Sequence, residues 1–332
     1  MPWKETNVSQ SRIEFIAMYL SGEFSMAELC RDFEISRKTG YKFVQRYTEH
    51  GPIGLENLSR APHTHPNAIS EQVEELIAEL RSAHPTWGPR KLRWLLLQHY
   101  PQIPAPAAST IGDILSRKGL ITPRKRRKGA TYAKPQHLTQ PDGPNNVWSA
   151  DFKGHFALGN SQRCHPLTVV DSDTRMLLRC QALKRTDTKT VKPLWVALFR
   201  EYGLPEVIRT DNGPPFASLG LGGLSQLAIW WIKLGIRPER ITPGRPQENG
   251  RHERMHRTLK ADATEPPQYD INSQQRAFDY FRDEYNNLRP HEALSYNTPA
   301  SLYTRSLRQF SLRTPGIEYP QTMITRHVRT NG

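Results

Sequence analysis

The sequence predicts an α/β fold preceded by an all-α region. From about residue 8 to residue 118, apolar residues recur at helical spacing between Ser caps and Gly stops. From Asn145 onward, short apolar runs alternate with helical stretches, the order of a mixed sheet flanked by helices. Between the two lies a stretch rich in Pro, Lys and Arg that fits neither pattern.

The 332 residues suffice for two or three domains with real cores. The hydrophobic fraction is 36% and the mean hydropathy −0.67, low but globular. No run approaches the roughly 18 apolar residues of a membrane span. No apolar segment follows a basic one at the N-terminus, so no secretory signal is expected. Cys30, Cys164 and Cys180 are odd in number and widely spaced. They read as small buried residues in a reducing compartment, without disulfides or zinc-ligand spacing. The net charge of +14 suits a polyanionic partner, although composition alone fits RNA or an anionic membrane surface too.

The first helix is predicted over Arg12–Leu20, stopping at Ser21-Gly22. Ser25 caps the next, with Glu28 as capping-box partner, and Ser36 caps a third over Arg37 to about Tyr47. This is helix-turn-helix spacing. Arg37, Lys38, Thr39, Lys42 and Arg46 are then the candidates for DNA contact from the last helix. A plain three-helix packing unit explains the same apolar pattern. Glu34 in the turn and Gly40 in the helix depart from the motif. A second helical set follows: Glu71 to about Ser82, a helix opened by Trp87-Gly88-Pro89 through His99, and Thr110–Lys118. Arg90 and Lys91 give it a basic side. Arg124, Lys125, Arg126, Arg127 and Lys128 repel one another and read either as an arm on DNA phosphates or as a solvated hinge.

Five strands are predicted: Val147–Phe156, His165–Val170, Met176–Leu183, Glu206–Thr210 and Ile236–Thr242, the first three as an antiparallel meander. Helices are predicted over Thr188–Tyr202, Leu224–Leu234, Asn249–Ala261 and Ser273–Asn287.

Three acids stand on these elements. Asp211 ends the fourth strand, before Asn212-Gly213, and the C-terminal edge of a strand is where sites form in open α/β sheets. Asp151 points away from the face shared by Trp148, Ala150 and Phe152. If the first and fourth strands are neighbours, both aspartates can share one cation. Glu253 lies on a helix that could lean on the sheet and complete a three-carboxylate cup, and Glu248 is its rival. Clustered carboxylates repel until Mg²⁺ or Mn²⁺ neutralises them. Two such ions about 3.5–4 Å apart suit phosphoryl transfer. Singly, each acid has a plainer reading: Asp before Asn-Gly is usually a turn residue, and Glu253 can pair with Arg257. Asp171 and Asp173 read as turn residues.

Trp148–Phe152, Val170-Asp171, Thr210–Gly213, Arg245–Arg254 and Tyr285–Leu294 with Thr298-Pro299-Ala300 together resemble the DDE integrase core of retroviral integrases and bacterial insertion-sequence transposases. The resemblance covers about residues 8–305 and implies an RNase H-like core with a five-stranded mixed sheet, preceded by helix-turn-helix modules. It implies Asp151, Asp211 and Glu253 as catalytic metal ligands, choosing Glu253 over Glu248 because the family's acid follows Asn-Gly-x-x. The Asp211-to-Glu253 spacing is a few residues longer than the retroviral one, which an insertion near Leu219–Gly223 accommodates. Asn249, Arg251, His252, His256 and Lys260 would surround the scissile phosphate if their helix faces DNA. The expected segments are a helix-turn-helix domain (1–60), a second helical DNA-binding domain (61–122), a basic linker (123–144), the catalytic core (145–305) and a basic extension (306–332). The implied function is metal-dependent cleavage and strand transfer at the terminal repeats of a mobile element. The implied partners are double-stranded DNA, as element ends and target, and further copies of the chain, in the bacterial cytoplasm at the nucleoid. An inactive DNA-binding regulator derived from a transposase, and an RNase H-type nuclease, are the alternatives.

Overall fold

A computed structural model describes residues 8–58, 68–121, 138–218 and 223–312. The basic run Arg124–Lys128 and residues 313–332 of the basic extension lie outside them. Contacts divide the chain into two compact units, Met1–Ala68 and Ile69–Gly332.

The first unit holds α1 (Val8–Ser21), α2 (Met26–Asp32) and α3 (Arg37–His50), with a 3₁₀ turn over Gly51–Leu55. Phe15, Ile16, Leu29, Cys30 and Leu55 form its core. The capping box forms as expected: Ser25 Oγ accepts from Glu28 N, and Ser25 N donates to Glu28 Oε2 at 2.8 Å. Ser25→Ala removes the acceptor and should destabilise α2 by about 1 kcal/mol. Amide hydrogen exchange across Met26–Asp32 should quicken by about fivefold; an unchanged rate would show that packing alone holds the helix. The two departures from the motif find physical explanations. Glu34 takes the left-handed turn conformation (φ 53) without glycine's freedom. Gly40 is required where α2 meets α3, because a Cβ there would lie 2.8 Å from Cys30 Sγ and 2.9 Å from Met26 Sδ.

The second unit begins with α4 (Glu71–Ala83), α5 (Pro89–His99) and α6 (Ala108–Arg117) around Ile77, Leu92, Leu96, Ile111 and Ile114. Six strands follow: β1 (Val147–Phe152), β2 (Phe156–Ala157), β3 (Arg163–Asp171), β4 (Leu177–Leu183), β5 (Val207–Thr210) and β6 (Arg237–Arg240). The helices are α7 (Thr188–Tyr202), α8 (Gln226–Lys233), α9 (Gly250–Leu259), α10 (Ile271–Asp283) and the short α11 (Pro299–Leu302). α9 and α10 each run on into a π-helical turn.

β1 is central, antiparallel to β3 and parallel to β5; β4 extends the sheet beyond β3, and β6 beyond β5. The sheet is therefore mixed, with the antiparallel meander expected. It has one strand more than expected because the first strand does not continue to Phe156. Gly154 (φ 85) turns the chain, and Phe156–Ala157 pairs with Arg163-Cys164 of β3.

The sheet is buried on both faces. Trp148, Ala150 and Ile208 pack beneath Trp195 and Phe199 of α7 and Trp231 of α8. On the opposite face, Val170, Leu177 and Cys180 meet Met255 and Leu259 of α9 and Phe278 of α10. All three cysteines are free and buried, as the sequence suggests. No helix among the described residues is long and apolar enough to cross a membrane.

Candidate functional site

The pairing of β1 with β5 sets the site. Ser149 is beside Arg209 and Ala150 beside Thr210 in parallel register. Beyond that pair β5 ends while β1 runs on to Phe152, and Asp211, just past the end of β5, is close enough for its charge to act on Asp151. Neighbouring strands lie roughly 4.8 Å apart, which is what brings the two acids near each other. The condition set by the sequence, that these strands be neighbours, is met.

Alternation along β1 turns Ser149 and Asp151 toward α9, while Trp148 and Ala150 enter the opposite core. Ser149 donates to Asn249 Oδ1 at 3.2 Å and also contacts His252 Nδ1. The Thr168 hydroxyl, on β3 opposite Asp151, lies 2.6 Å from His252 Nε2 and 2.7 Å from His256 Nε2. It donates to the Asp151 carbonyl at 3.1 Å. Its proton so used, Thr168 can accept from His256 Nε2–H, which leaves the His256 Nδ1 lone pair toward Asp151 Oδ2, 3.8 Å away. Burial holds both imidazoles neutral, pushing His256 down to about 3 and His252 well below its usual value.

Burial raises the Asp151 carboxyl to about 7, and the charge of Asp211 adds to the effect. The Phe152 backbone N–H and Lys153 oppose the rise; the charge of Glu253 supports it. Burial likewise raises Asp211, offset by a hydrogen bond from Gly213 N at 3.2 Å. Glu253 is exposed on α9. Its rival Glu248 is engaged elsewhere, accepting from Thr242 N at 2.7 Å and Thr242 Oγ1 at 3.1 Å. Asp171 is a turn residue, fully buried and accepting from Asn145 N, Thr174 N and Thr174 Oγ1.

Ligand atoms of Asp151, His252 and His256 lie within 4.8 Å of one another, close enough to share a cation. Both nitrogens of His252 and Nε2 of His256 are already committed to hydroxyl groups. The donors left are the Asp151 carboxylate and His256 Nδ1. An ion there would meet one carboxylate and one imidazole nitrogen; Asp211 and Glu253 are not part of that cluster.

The other sequence candidates divide. Arg37, Lys38 and Lys42 are exposed on α3. Thr39 is half-buried in the cap of that helix, and Arg46 donates to Glu56 O at 2.6 Å while lying over Phe43. Arg90 pairs with Glu292 at 2.6 Å. Lys91 is half-buried, and burial with the nearby Arg289 pulls its amine down to about 7. Arg251 donates to Ser172 O at 2.7 Å, and Lys260 is exposed beside Glu265. Asn249, His252 and His256, expected around a scissile phosphate, lie on the inner side of their helix. All three are buried, because α9 sets them against Ser149 and Thr168 of the sheet, where they brace the site. Those two hydroxyl residues were missed in the sequence. Their signal was two polar positions inside otherwise apolar strands, Ser149 on the same face as Asp151.

Integrase core domain models match residues 141–246 and 234–299. A helix-turn-helix domain matches 11–63, and a homeodomain-like domain 39–115. A 39.2 kDa protein of insertion element IS476 from Xanthomonas euvesicatoria is 28% identical over 77% of this chain and 74% of its own. A 31.7 kDa protein of IS407 from Burkholderia multivorans is 30% identical over 55% of this chain and 64% of its own, so the match spans less than two thirds of that relative. The transposase of IS904 from Lactococcus lactis is 23% identical over 57% of this chain and 77% of its own. The domain matches and the mixed sheet agree: residues 141–299 carry an integrase core domain, with helix-turn-helix segments ahead of it in the sequence.

Proposed function

We propose that the protein is a transposase that binds the terminal repeats of a mobile DNA element, cuts there and joins the freed 3′-end to target DNA. The observation that supports this reading is the pairing of β1 with β5 in parallel, with Asp211, just past β5, and Glu253 both near enough for their charges to act on Asp151 of β1. Three carboxylates in a chain of net charge +14 suit a phosphodiester approached through divalent cations.

In this reading Asp151, Asp211 and Glu253 hold Mg²⁺ or Mn²⁺, two ions in all. The bound cations supply charge neutralisation at phosphorus and a more acidic attacking hydroxyl. The chain's own residues provide the framework. β1 and β5 fix the spacing of the aspartates. The Ser149–His252–Thr168–His256 network fixes the rotation of α9, and with it the direction in which Glu253 projects. Lys153 offsets part of the negative charge on Asp151. Cleavage and joining are in-line displacements that need no covalent enzyme intermediate.

The helix-turn-helix unit supplies end recognition, and paired element ends call for more than one copy of the chain, at the nucleoid. A double variant, Arg37→Ala with Lys42→Ala, should weaken binding to duplex element ends by about tenfold or more. It should also make the salt dependence shallower by about two counterions, read by fluorescence anisotropy. An unchanged salt slope would assign α3 a packing role only. Strand transfer on oligonucleotides bearing element ends, with Mg²⁺ or Mn²⁺ against EDTA, tests the reaction itself. Binding without metal-dependent transfer would leave the protein as a DNA-binding regulator.

A further inference from the structure

Arg251, Arg254, Met255 and Thr258 recur along α9 at three- and four-residue spacing and share one face. Glu253 lies roughly 200° around the helix from Arg251, at about 100° per residue. The face away from Glu253 lines a cavity of about 240 Å³, closed by Lys91, Arg175 and Arg289.

The cavity has five cationic side chains and one carboxylate, Glu292. That carboxylate pairs with Arg90 at 2.6 Å, and Arg289 pairs with Asp262 at 3.3 Å. Among the described residues, no ion pair is formed by Lys91, Arg175, Arg251 or Arg254, and the nearby Asp173 acts only through space. Arg175 Nε is buried there without a hydrogen-bond partner among the described residues. Buried donors without acceptors cost free energy, as do like charges held together. Burial followed by the charge of Arg251 lowers Arg175, and burial followed by Arg289 lowers Lys91. A tetrahedral oxyanion relieves all of these at once, because guanidinium forks and phosphate oxygens match in geometry.

A second depression, of about 500 Å³, neighbours it; Lys91 and Glu292 line both, and it reaches Gly88-Pro89 and Ala108-Ser109, where α5 and α6 begin. A free ion needs no such neighbour, whereas a strand with repeating phosphates runs past the site. We propose that this cavity is a phosphate site that takes one backbone phosphate of a DNA strand, on the side of α9 away from Glu253. The proposal rests on the reading of the protein as one that acts on DNA.

Arg175→Gln combined with Arg254→Gln in the full chain tests it. Duplex binding across a salt series should have a slope shallower by about one counterion, with affinity about tenfold weaker near physiological salt. Inorganic phosphate should raise the melting temperature of the wild type above that in chloride of equal ionic strength, and the double variant should lose this gain. Arg254→Gln alone, at an exposed position, gives the same reading in reduced size if the pair folds poorly; Arg254→Lys should restore most of it. An equal salt slope and affinity in wild type and variants overturns the proposal, even if phosphate still stabilises the wild type. Strand transfer by the wild type with an unchanged slope in the variants removes the cavity and leaves the proposed function standing. A changed slope with no strand transfer does the reverse.

Discussion

Asp211→Asn is expected to abolish strand transfer, lowering the rate by at least about a thousandfold while DNA binding survives. The asparagine keeps the shape and the turn at Asn212-Gly213, but it removes the negative charge that stands beside Asp151 at the end of β5. Transfer of a phosphoryl group by positioned charge depends on that neutralisation, and a thousandfold loss corresponds to about 4 kcal/mol of transition-state stabilisation. Glu253→Gln should behave the same way. Glu248→Gln should leave the rate within about tenfold of wild type, because its carboxylate already serves the turn at Thr242. Single-turnover rates on pre-cleaved element ends, with binding measured in parallel, make the comparison. Activity that persists in Glu253→Gln but disappears in Glu248→Gln would transfer the role to Glu248. Full activity in Asp211→Asn would end the three-carboxylate reading.

Asp151→Asn should stabilise the metal-free protein at pH 8 and make it nearly indifferent to Mg²⁺. Burial and the neighbouring acids raise the Asp151 carboxyl to about 7 from an ordinary 3.8. Between those values the folded chain holds a proton that the unfolded chain has released, so stability falls as pH rises through the window. The loss is complete above about pH 7 and amounts to as much as about 4 kcal/mol. His256, held down to about 3, works in the opposite direction: its contribution is present above the ordinary imidazole range and is lost as pH falls. The informative quantity is therefore the difference between wild type and Asp151→Asn at each pH, which isolates one carboxyl. Thermal unfolding from pH 4 to pH 8 should show the two converging at the acid end and separating by several degrees at the alkaline end. Mg²⁺ or Mn²⁺ should close most of that gap by stabilising the wild type. Parallel curves, unaffected by metal, would mean that Asp151 pays no electrostatic penalty and holds no cation.

Much of the fold was legible because local rules governed it. Thr188–Tyr202 was read to the residue, its amphipathic pattern bounded by the Asp187 cap and Gly203. The Ser25–Glu28 box was equally plain. The first strand was overextended to Phe156, because the turn at Gly154, with its positive φ, depends on the pairing of Phe156–Ala157 back onto β3. Gly40 looked like a defect in α3 until Cys30 and Met26 were found against it.

The site divides along the same line. Asp151 and Asp211 could be named as candidates from strand alternation and the following Asn-Gly, since those depend on residues near in sequence. The surroundings of α9 could not. His252 and His256 sit among basic residues, and helical spacing alone cannot say which side of a short polar helix meets the sheet. Packing of Met255 and Leu259 against β4 and α10 made that choice and turned both imidazoles inward to Ser149 and Thr168. The sequence by itself determined the order of elements, the acids they carry and the basic character of the chain, because each follows from local pattern and composition. Only the tertiary structure decided that β1 pairs with β5 in parallel, which face of α9 is buried, and where Arg175, Arg254 and Lys91 come together. Those outcomes depend on contacts between residues distant in the chain, which no local pattern encodes.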